Sequence, residues 1–211
     1  CRLTERLVLN DLGMVSMPRE CDHITSLFEL DISMNQIGSL PDRIGTFVSL
    51  TSLNASHNCL VALPPGFGNL INLIHADLSH NIIEDIPVTI SNLSRLQTLD
   101  LTRNSISILP LETAYLTNLK ELRLQDNNLM SPPPETAMRG CAAIIDYFSG
   151  LLVARTTRAL HMDDKQLSTF PIELEFMDYV TELSLVDNAF LEIHPNVLSL
   201  TVLTSLNLSG N

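Results

Sequence analysis

The chain has 211 residues, with 12 Lys and Arg against 24 Asp and Glu, so its formal net charge is −12. Its 45% apolar content excludes a disordered acidic tail, and its acidic balance argues against non-specific binding to nucleic acid or anionic membranes, since both require clustered Lys and Arg. The longest apolar stretch, residues 141–154, is interrupted by Asp146 and falls short of the ~18 residues of a spanning helix. We therefore expect no nucleic-acid partner and no membrane insertion.

The cysteine content favours a reducing compartment. Four cysteines are scattered along the chain: Cys1, Cys21, Cys59 and Cys141. No CxxC pair occurs, so the pattern indicates neither a zinc site nor a disulfide framework, and a cytoplasmic location fits best. The chain also contains three glycosylation sequons, at Asn54, Asn92 and Asn207. Such sequons arise easily in a repeat rich in Asn, Leu and Ser, and we do not expect them to be used.

An apolar pattern recurs at a step of 23 residues along most of the chain. Its copies open at Thr4, Leu27, Leu50, Leu73, Leu96, Leu119, Thr157, Val180 and Leu203. In the third copy the alternation predicts a short strand with Leu53 and Ala55 inward and with Ser52, Asn54 and Ser56 outward. One strand cannot bury its apolar face alone, so stacked copies are expected to form a parallel sheet over one core. The last copy is truncated, so we expect a longer protein.

Two polar columns accompany this pattern. The first is an Asn whose buried amide is expected to bond backbone groups where the strand turns; it comprises Asn35, Asn58, Asn81, Asn104, Asn127, Asn188 and Asn211. The second is a Pro that starts each return segment; it comprises Pro18, Pro41, Pro64, Pro87, Pro110, Pro133 and Pro171. In the third copy the return segment is expected to point Leu63, Phe67 and Leu70 into the core.

The sixth and seventh copies are separated by an insertion, because the seventh opens at residue 157 rather than 142. Pro134 and Glu135 predict a helix start, and Gly140 is expected to loosen the helix. A mostly helical apolar pattern then predicts one longer helix; its residues are Ala142, Ile144, Ile145, Tyr147, Phe148, Leu151 and Leu152. The predicted organisation is six copies in 1–141, an inserted helical segment in 142–156, and two full copies with one truncated copy in 157–211. The preferred interpretation is an elongated return helix that fills the core, and a hinge or partner site is the alternative.

The consensus LxxLxLxxNxLxxLPxxφxxLxx resembles the leucine-rich repeat family, and its short form resembles the Ras-group subtype of cytoplasmic signalling scaffolds. The resemblance implies an α/β solenoid, curved, with a parallel sheet on the concave face and helical or irregular returns on the convex face. It also implies a protein-binding module without catalysis, with partners such as small GTPases or phosphatase subunits. The alternatives are the recognition arm of a larger kinase, GTPase or ubiquitin ligase, and an extracellular receptor segment.

The outward strand positions supply the candidate partner-binding residues. Asp31, Asp77 and Asp100 are expected to form an acidic strip, with Glu29 beside it and Arg123 at its end. A partner with basic or hydrogen-bonding groups would complement this strip. The complete candidate set is Glu29, Asp31, Asn54, His57, Asp77, His80, Asp100 and Arg123.

Two histidines, His57 and His80, occupy the same position in adjacent copies. With Asp77 they suggest a zinc site or a pH switch, and with Ser56 and an Asp they suggest a hydrolase triad. The 23-residue period alone brings these residue types together, and no strained glycine turn surrounds Ser56. We therefore predict no metal site, no cofactor and no catalysis in the repeats.

Overall fold

A computed structural model of the chain describes residues 5–19, 21, 24 and 26–211. The predicted start of the first copy at Thr4, and the cysteine at position 1, lie outside these residues. The chain divides into two compact units, Cys1–Asn128 and Leu129–Asn211, called here the first and second units. The predicted division at residues 141 and 156 follows the repeat register and stays a prediction.

The first unit contains a parallel sheet, as the alternation predicts. Its described strands are β1 (Glu5–Val8), β2 (Leu27–Asp31), β3 (Ser52–Asn54), β4 (His75–Asp77), β5 (Thr98–Asp100) and β6 (Glu121–Arg123). They pair in chain order, each with the strand of the next copy. The inward residues Leu53 and Ala55 are buried, as expected. The solenoid fold predicted from the period is therefore confirmed.

The return segments of the first unit are 3₁₀ helices. Those described lie at Asp42–Thr46, Pro65–Asn69, Val88–Asn92 and Leu111–Tyr115. Each follows a proline of the predicted column in an extended conformation, such as Pro64 with φ −70° and ψ 155°. Leu63, Phe67 and Leu70 are buried beneath them, which confirms the predicted inward set.

Neighbouring return segments pack closely, and several of their positions leave no room for a Cβ, with Gly66 the tightest of them. The backbone N–H of Gly66 donates to the Asp42 carboxylate at 2.6 Å. A Cβ added at Gly66 would lie 2.0 Å from the Asp42 backbone oxygen. The absence of a side chain at Gly66 therefore allows two successive returns to stack in contact.

The Asn column makes the predicted backbone bonds. Asn81 is 7% exposed; its Oδ1 accepts from Leu60 N–H at 3.0 Å. Its Nδ2 donates to the carbonyls of Ala55, Leu78 and Ser79 at 3.0–3.2 Å. Each Asn thus ties its own turn to the preceding copy. The residue just before it has a left-handed backbone in successive copies, with φ between 53° and 56° at Met34, His57, His80, Arg103 and Asp126.

The second unit begins with helices and continues with a second parallel sheet. Helix α1 spans Pro134–Met138 and α2 spans Cys141–Thr157. The strands are β7 (Ala159–His161), β8 (Glu182–Ser184) and β9 (Ser205–Asn207), with 3₁₀ helices at Ile172–Phe176 and Pro195–Ser199. The expected single helix is two helices, because Gly140 has a φ of +91° and interrupts the helical backbone between them. Within the described residues, no helix is both long and apolar enough to span a membrane.

A polar contact is buried where α2 meets the return segment of the second unit. Tyr147, 1% exposed, donates its hydroxyl to Glu173 Oε2 at 2.8 Å. The buried Ser131 hydroxyl donates to the other oxygen of the same carboxylate. Burial and the Glu173 charge raise the pKa of Tyr147, so it stays a neutral donor. Ile144, Phe148 and Leu151 are buried around it, as the apolar spacing predicts.

Candidate functional site

The outward side chains of β1–β6 form one surface, which we call the strand face. The parallel pairing places one row of residues in register across six strands: Val8, Asp31, Asn54, Asp77, Asp100 and Arg123. We call this row the central ladder. Neighbouring strands lie about 4.8 Å apart, so the predicted strip residues are brought together. A shallow cavity of about 240 Å³ opens along this row.

Each acidic or amide side chain of the ladder also has a local structural role. Asp31 Oδ1 accepts from the backbone N–H of Ser33 at 3.0 Å, and Asp77 Oδ1 accepts from that of Ser79 at 3.0 Å. Asp100 makes the same bond to Thr102 N–H at 2.9 Å. These bonds close the backbone where each strand ends. Each of these Asp residues therefore combines a partly exposed charge with a bond that the fold uses.

Asn54 makes the same contact, and this overturns one expectation. Its Oδ1 accepts from the Ser56 N–H at 3.1 Å and from the Ser56 hydroxyl at 2.8 Å. Ser56 is 6% exposed, so the prediction that it faces outward is wrong. The reason is that its hydroxyl turns back onto Asn54 at the strand end. The Ser56 hydroxyl is therefore held by Asn54 at the end of the strand.

The charges of the strand face are unevenly compensated. Glu29 pairs with Arg6 at 3.2 Å. Arg123 pairs with Asp100 at 3.1 Å and with Glu121 at 2.7 Å, and its hydrogen bonds to these two carboxylates raise its pKa. Within the part of the chain that the structure describes, Asp31 and Asp77 make no ion pair. These two carboxylates are therefore the open negative charges of the ladder.

A second row of side chains runs beside the central ladder. Most of its residues were not among the candidates predicted from the sequence. Its register continues across β2–β6 through Glu29, Ser52, His75, Thr98 and Glu121. His75 Nδ1 lies 2.8 Å from Thr98 Oγ1, a hydrogen bond between adjacent copies. Applying the 23-residue step to the position two residues before the ladder would have identified these side chains.

His57 and His80 lie outside both rows, at the left-handed position after the strand. Their rings stack with centroids 4.0 Å apart and planes 16° apart. Within the described residues, no group of three or more His, Cys, Asp or Glu side chains is arranged to hold a metal ion. The structure thus joins these two candidates to each other and separates them from the ladder.

Comparisons with known proteins agree with the fold. Family models described as leucine rich repeat match residues 48–106 and residues 118–138. A search of curated protein sequences gives no match. The matched segments lie within the region where the 23-residue period is most regular.

Solved structures show the same architecture. A leucine-rich repeat protein of Leptospira interrogans is 21% identical, covers 98% of this chain and 66% of that chain, and has a TM-score of 0.56. A second similar structure is the ectodomain of the Arabidopsis thaliana receptor kinase GASSHO1/SCHENGEN3 in complex with CASPARIAN STRIP INTEGRITY FACTOR 2. It is 26% identical, the match covers 92% of this chain and 25% of that chain, and the TM-score is 0.54. The ectodomain of the Arabidopsis thaliana receptor kinase SOBIR1 is 26% identical, with a match that covers 59% of this chain and 71% of that chain and a TM-score of 0.52. The chain thus spans one quarter of the GASSHO1 chain and about two thirds of the Leptospira chain.

Proposed function

We propose that this leucine-rich repeat solenoid is a protein-binding module whose partner docks on the strand face of the first unit. Leucine-rich repeat domains are generally protein–protein interaction modules, and stacked repeats offer a preformed surface that loses little conformational freedom on binding. The observation that carries the proposal is the pair of open carboxylates, Asp31 and Asp77, which lie in register on either side of Asn54, two strands apart.

The spacing of these carboxylates defines the partner chemistry. Asp31 and Asp77 are two strands apart, which corresponds to about 10 Å. Residues i and i+7 lie on one face of a helix and span about the same distance, at about 1.5 Å per residue. The partner we propose presents Arg or Lys side chains at this spacing. Asp100 is a weaker contact, because Arg123 already compensates it.

The cellular setting completes the proposal. We propose an intracellular signalling scaffold, located in the cytoplasm, with a small GTPase or a phosphatase subunit as partner. What supports this setting is the 23-residue repeat with its LPxxφxxL return and the absence of a clustered cysteine pattern in the sequence. No residue of the repeats is assigned a catalytic role.

The experiment compares charge removal with preservation of the fold. The double variant Asp31→Asn/Asp77→Asn removes both open charges and keeps an Oδ1 that can accept the strand-end bond, as native Asn54 does. Wild type and variant are used as bait in a lysate with proteomic readout, and circular dichroism verifies folding. We expect a partner enriched by wild type to be lost or much reduced with the variant.

A matched control tests the charge itself. Asn54→Asp adds a carboxylate between the two open ones while keeping the same acceptor atom, so a basic partner should bind at least as well. The proposal is rejected if the neutral double variant retains the wild-type partner, or if Asn54→Asp weakens binding as much as the double variant does.

A second candidate is the recognition arm of a larger receptor or enzyme, favoured by the similarity to receptor kinase ectodomains at 26% identity. The sequon at Asn92 distinguishes the two, since Asn92 is exposed at the end of a 3₁₀ helix. Mass spectrometry of the natural protein should find Asn92 unmodified if the protein is cytoplasmic. A glycan on Asn92 would establish an extracellular location and favour the receptor arm.

A further inference from the structure

The His57 and His80 side chains form a pair on the surface of the first unit. Their ring centroids are 4.0 Å apart and their planes differ by 16°. His57 is exposed and His80 is half-buried, so solvent reaches the pair. His75, on the adjacent strand position, bonds to Thr98 instead.

The backbone beneath the two rings is held by the solenoid. Both residues have a left-handed conformation, with φ of 53° and 55°. His57 N–H donates to Ser79 O at 2.9 Å, and Asn58 N–H donates to His80 O at 3.2 Å. The two Cα positions are therefore fixed relative to each other. Little conformational freedom remains to be lost when both side chains bind one ligand.

The residues at the same repeat position in the adjacent copies do not repel a bound cation. Arg103, one copy after His80, donates its Nε to Asp126 at 3.0 Å, so its charge is compensated. Met34, one copy before His57, is 56% exposed and offers a thioether, a ligand for soft metal ions. The column around the pair thus carries no uncompensated positive charge among these residues.

Contrary to the expectation from the sequence, we propose that His57 and His80 together bind one transition-metal ion such as Cu²⁺ or Zn²⁺ as its two protein ligands, with water completing its coordination. Imidazole nitrogens lie about 2.0–2.1 Å from a bound zinc ion, and the ring centroids of His57 and His80 are 4.0 Å apart, so the two side chains are close enough to reach one ion. Because the stacked rings are nearly parallel, both must rotate to direct a nitrogen at that ion. With two protein ligands, the site binds more weakly than a closed structural zinc site. It is independent of the protein partner proposed above.

The test measures Cu²⁺ binding by calorimetry at neutral pH in a Cys59→Ser background, which removes an exposed thiol that would compete for the ion. The variants are His57→Asn and His80→Asn, because asparagine tolerates the left-handed conformation of both positions. His75→Asn is the matched control, and circular dichroism verifies folding. Electron paramagnetic resonance of the equimolar complex counts the coordinated nitrogens.

We expect one ion per chain, a spectrum of two coupled nitrogens, and an affinity that falls at least ~10-fold in each of the first two variants, since a chelate loses the gain of a second ligand already in place. His75→Asn should bind as the background protein does. The proposal is overturned if binding is not saturable, if His57→Asn and His80→Asn both retain full affinity, or if His75→Asn loses as much as they do.

Discussion

Replacing Asn81 by Ala tests whether the Asn column holds adjacent copies together. The side chain joins four backbone groups: it accepts from Leu60 N–H and donates to the carbonyls of Ala55, Leu78 and Ser79. These groups lie in the middle of the first unit, where Leu60 and Leu78 are fully buried. Truncation to Ala removes all four bonds while leaving the apolar core intact.

The expected magnitude follows from which groups lose their only partner. The Leu60 N–H has no other acceptor among the described residues, and an orphaned buried donor costs about 1–3 kcal/mol. The three carbonyls each keep a second donor, supplied by Asn58 Nδ2, Asn104 Nδ2 and the His57 backbone N–H. At each of these carbonyls the free energy lost is therefore only the net value of one hydrogen bond, which is small because the carbonyl keeps another donor. We expect a total loss of about 2–4 kcal/mol in the free energy of unfolding.

Urea unfolding followed by circular dichroism measures this loss, and the midpoint should fall with little change in slope. Asn118→Ala is the control, because its Nδ2 makes a single exposed bond to Ser94 O at 2.7 Å. Its effect should stay within about 0.5 kcal/mol. If Asn81→Ala is as mild as Asn118→Ala, the Asn column does not stabilise the solenoid and the reasoning is refuted.

Two further substitutions test close packing and the buried polar contact. Gly66→Ala should destabilise the chain by about 1–3 kcal/mol because its Cβ would overlap the Asp42 carbonyl. The control is Gly38→Ala, where an added Cβ meets no atom within 4 Å. Equal unfolding midpoints for these two variants would contradict this account. Tyr147→Phe should lower the free energy of unfolding in urea by about 1–2 kcal/mol, since it removes the hydroxyl that a buried ring donates to Glu173. An unchanged midpoint would show that the contact contributes nothing.

Most of the fold of the first unit is predictable because the pattern repeats. A strand of three residues such as Ser52–Asn54 carries too little information alone, but the same alternation at a 23-residue step excludes a helical interpretation. The Asn column is predictable for a related reason. An amide that recurs where the strand ends must be satisfied by backbone groups that also recur.

The second unit is harder to predict, because its helices do not repeat. The apolar spacing identifies the buried residues Ile144 and Phe148. Gly140 is expected to loosen the helix, but the sequence does not show that its positive φ divides the helix in two. The side-chain contacts of the site are also only partly predictable from the 23-residue pattern. Periodicity places Arg123 next to Asp100, whereas the bond of Ser56 back onto Asn54 depends on local backbone geometry at the strand end.

The ladder explains how such a surface can change its specificity without losing its fold. The strand-end bond requires only an Oδ1 acceptor, which Asp31 and Asn54 supply equally well. Asp and Asn are therefore interchangeable for the backbone but differ by one charge for a partner. The choice of Asp or Asn in each copy therefore determines the charge at that ladder position. Two neighbouring carboxylates such as Asp77 and Asp100 repel each other unless a cation compensates one of them. Arg123 does so for Asp100. The proposed partner would do so for Asp77, so on that proposal the charge of Asp77, more than its hydrogen bond, would decide binding.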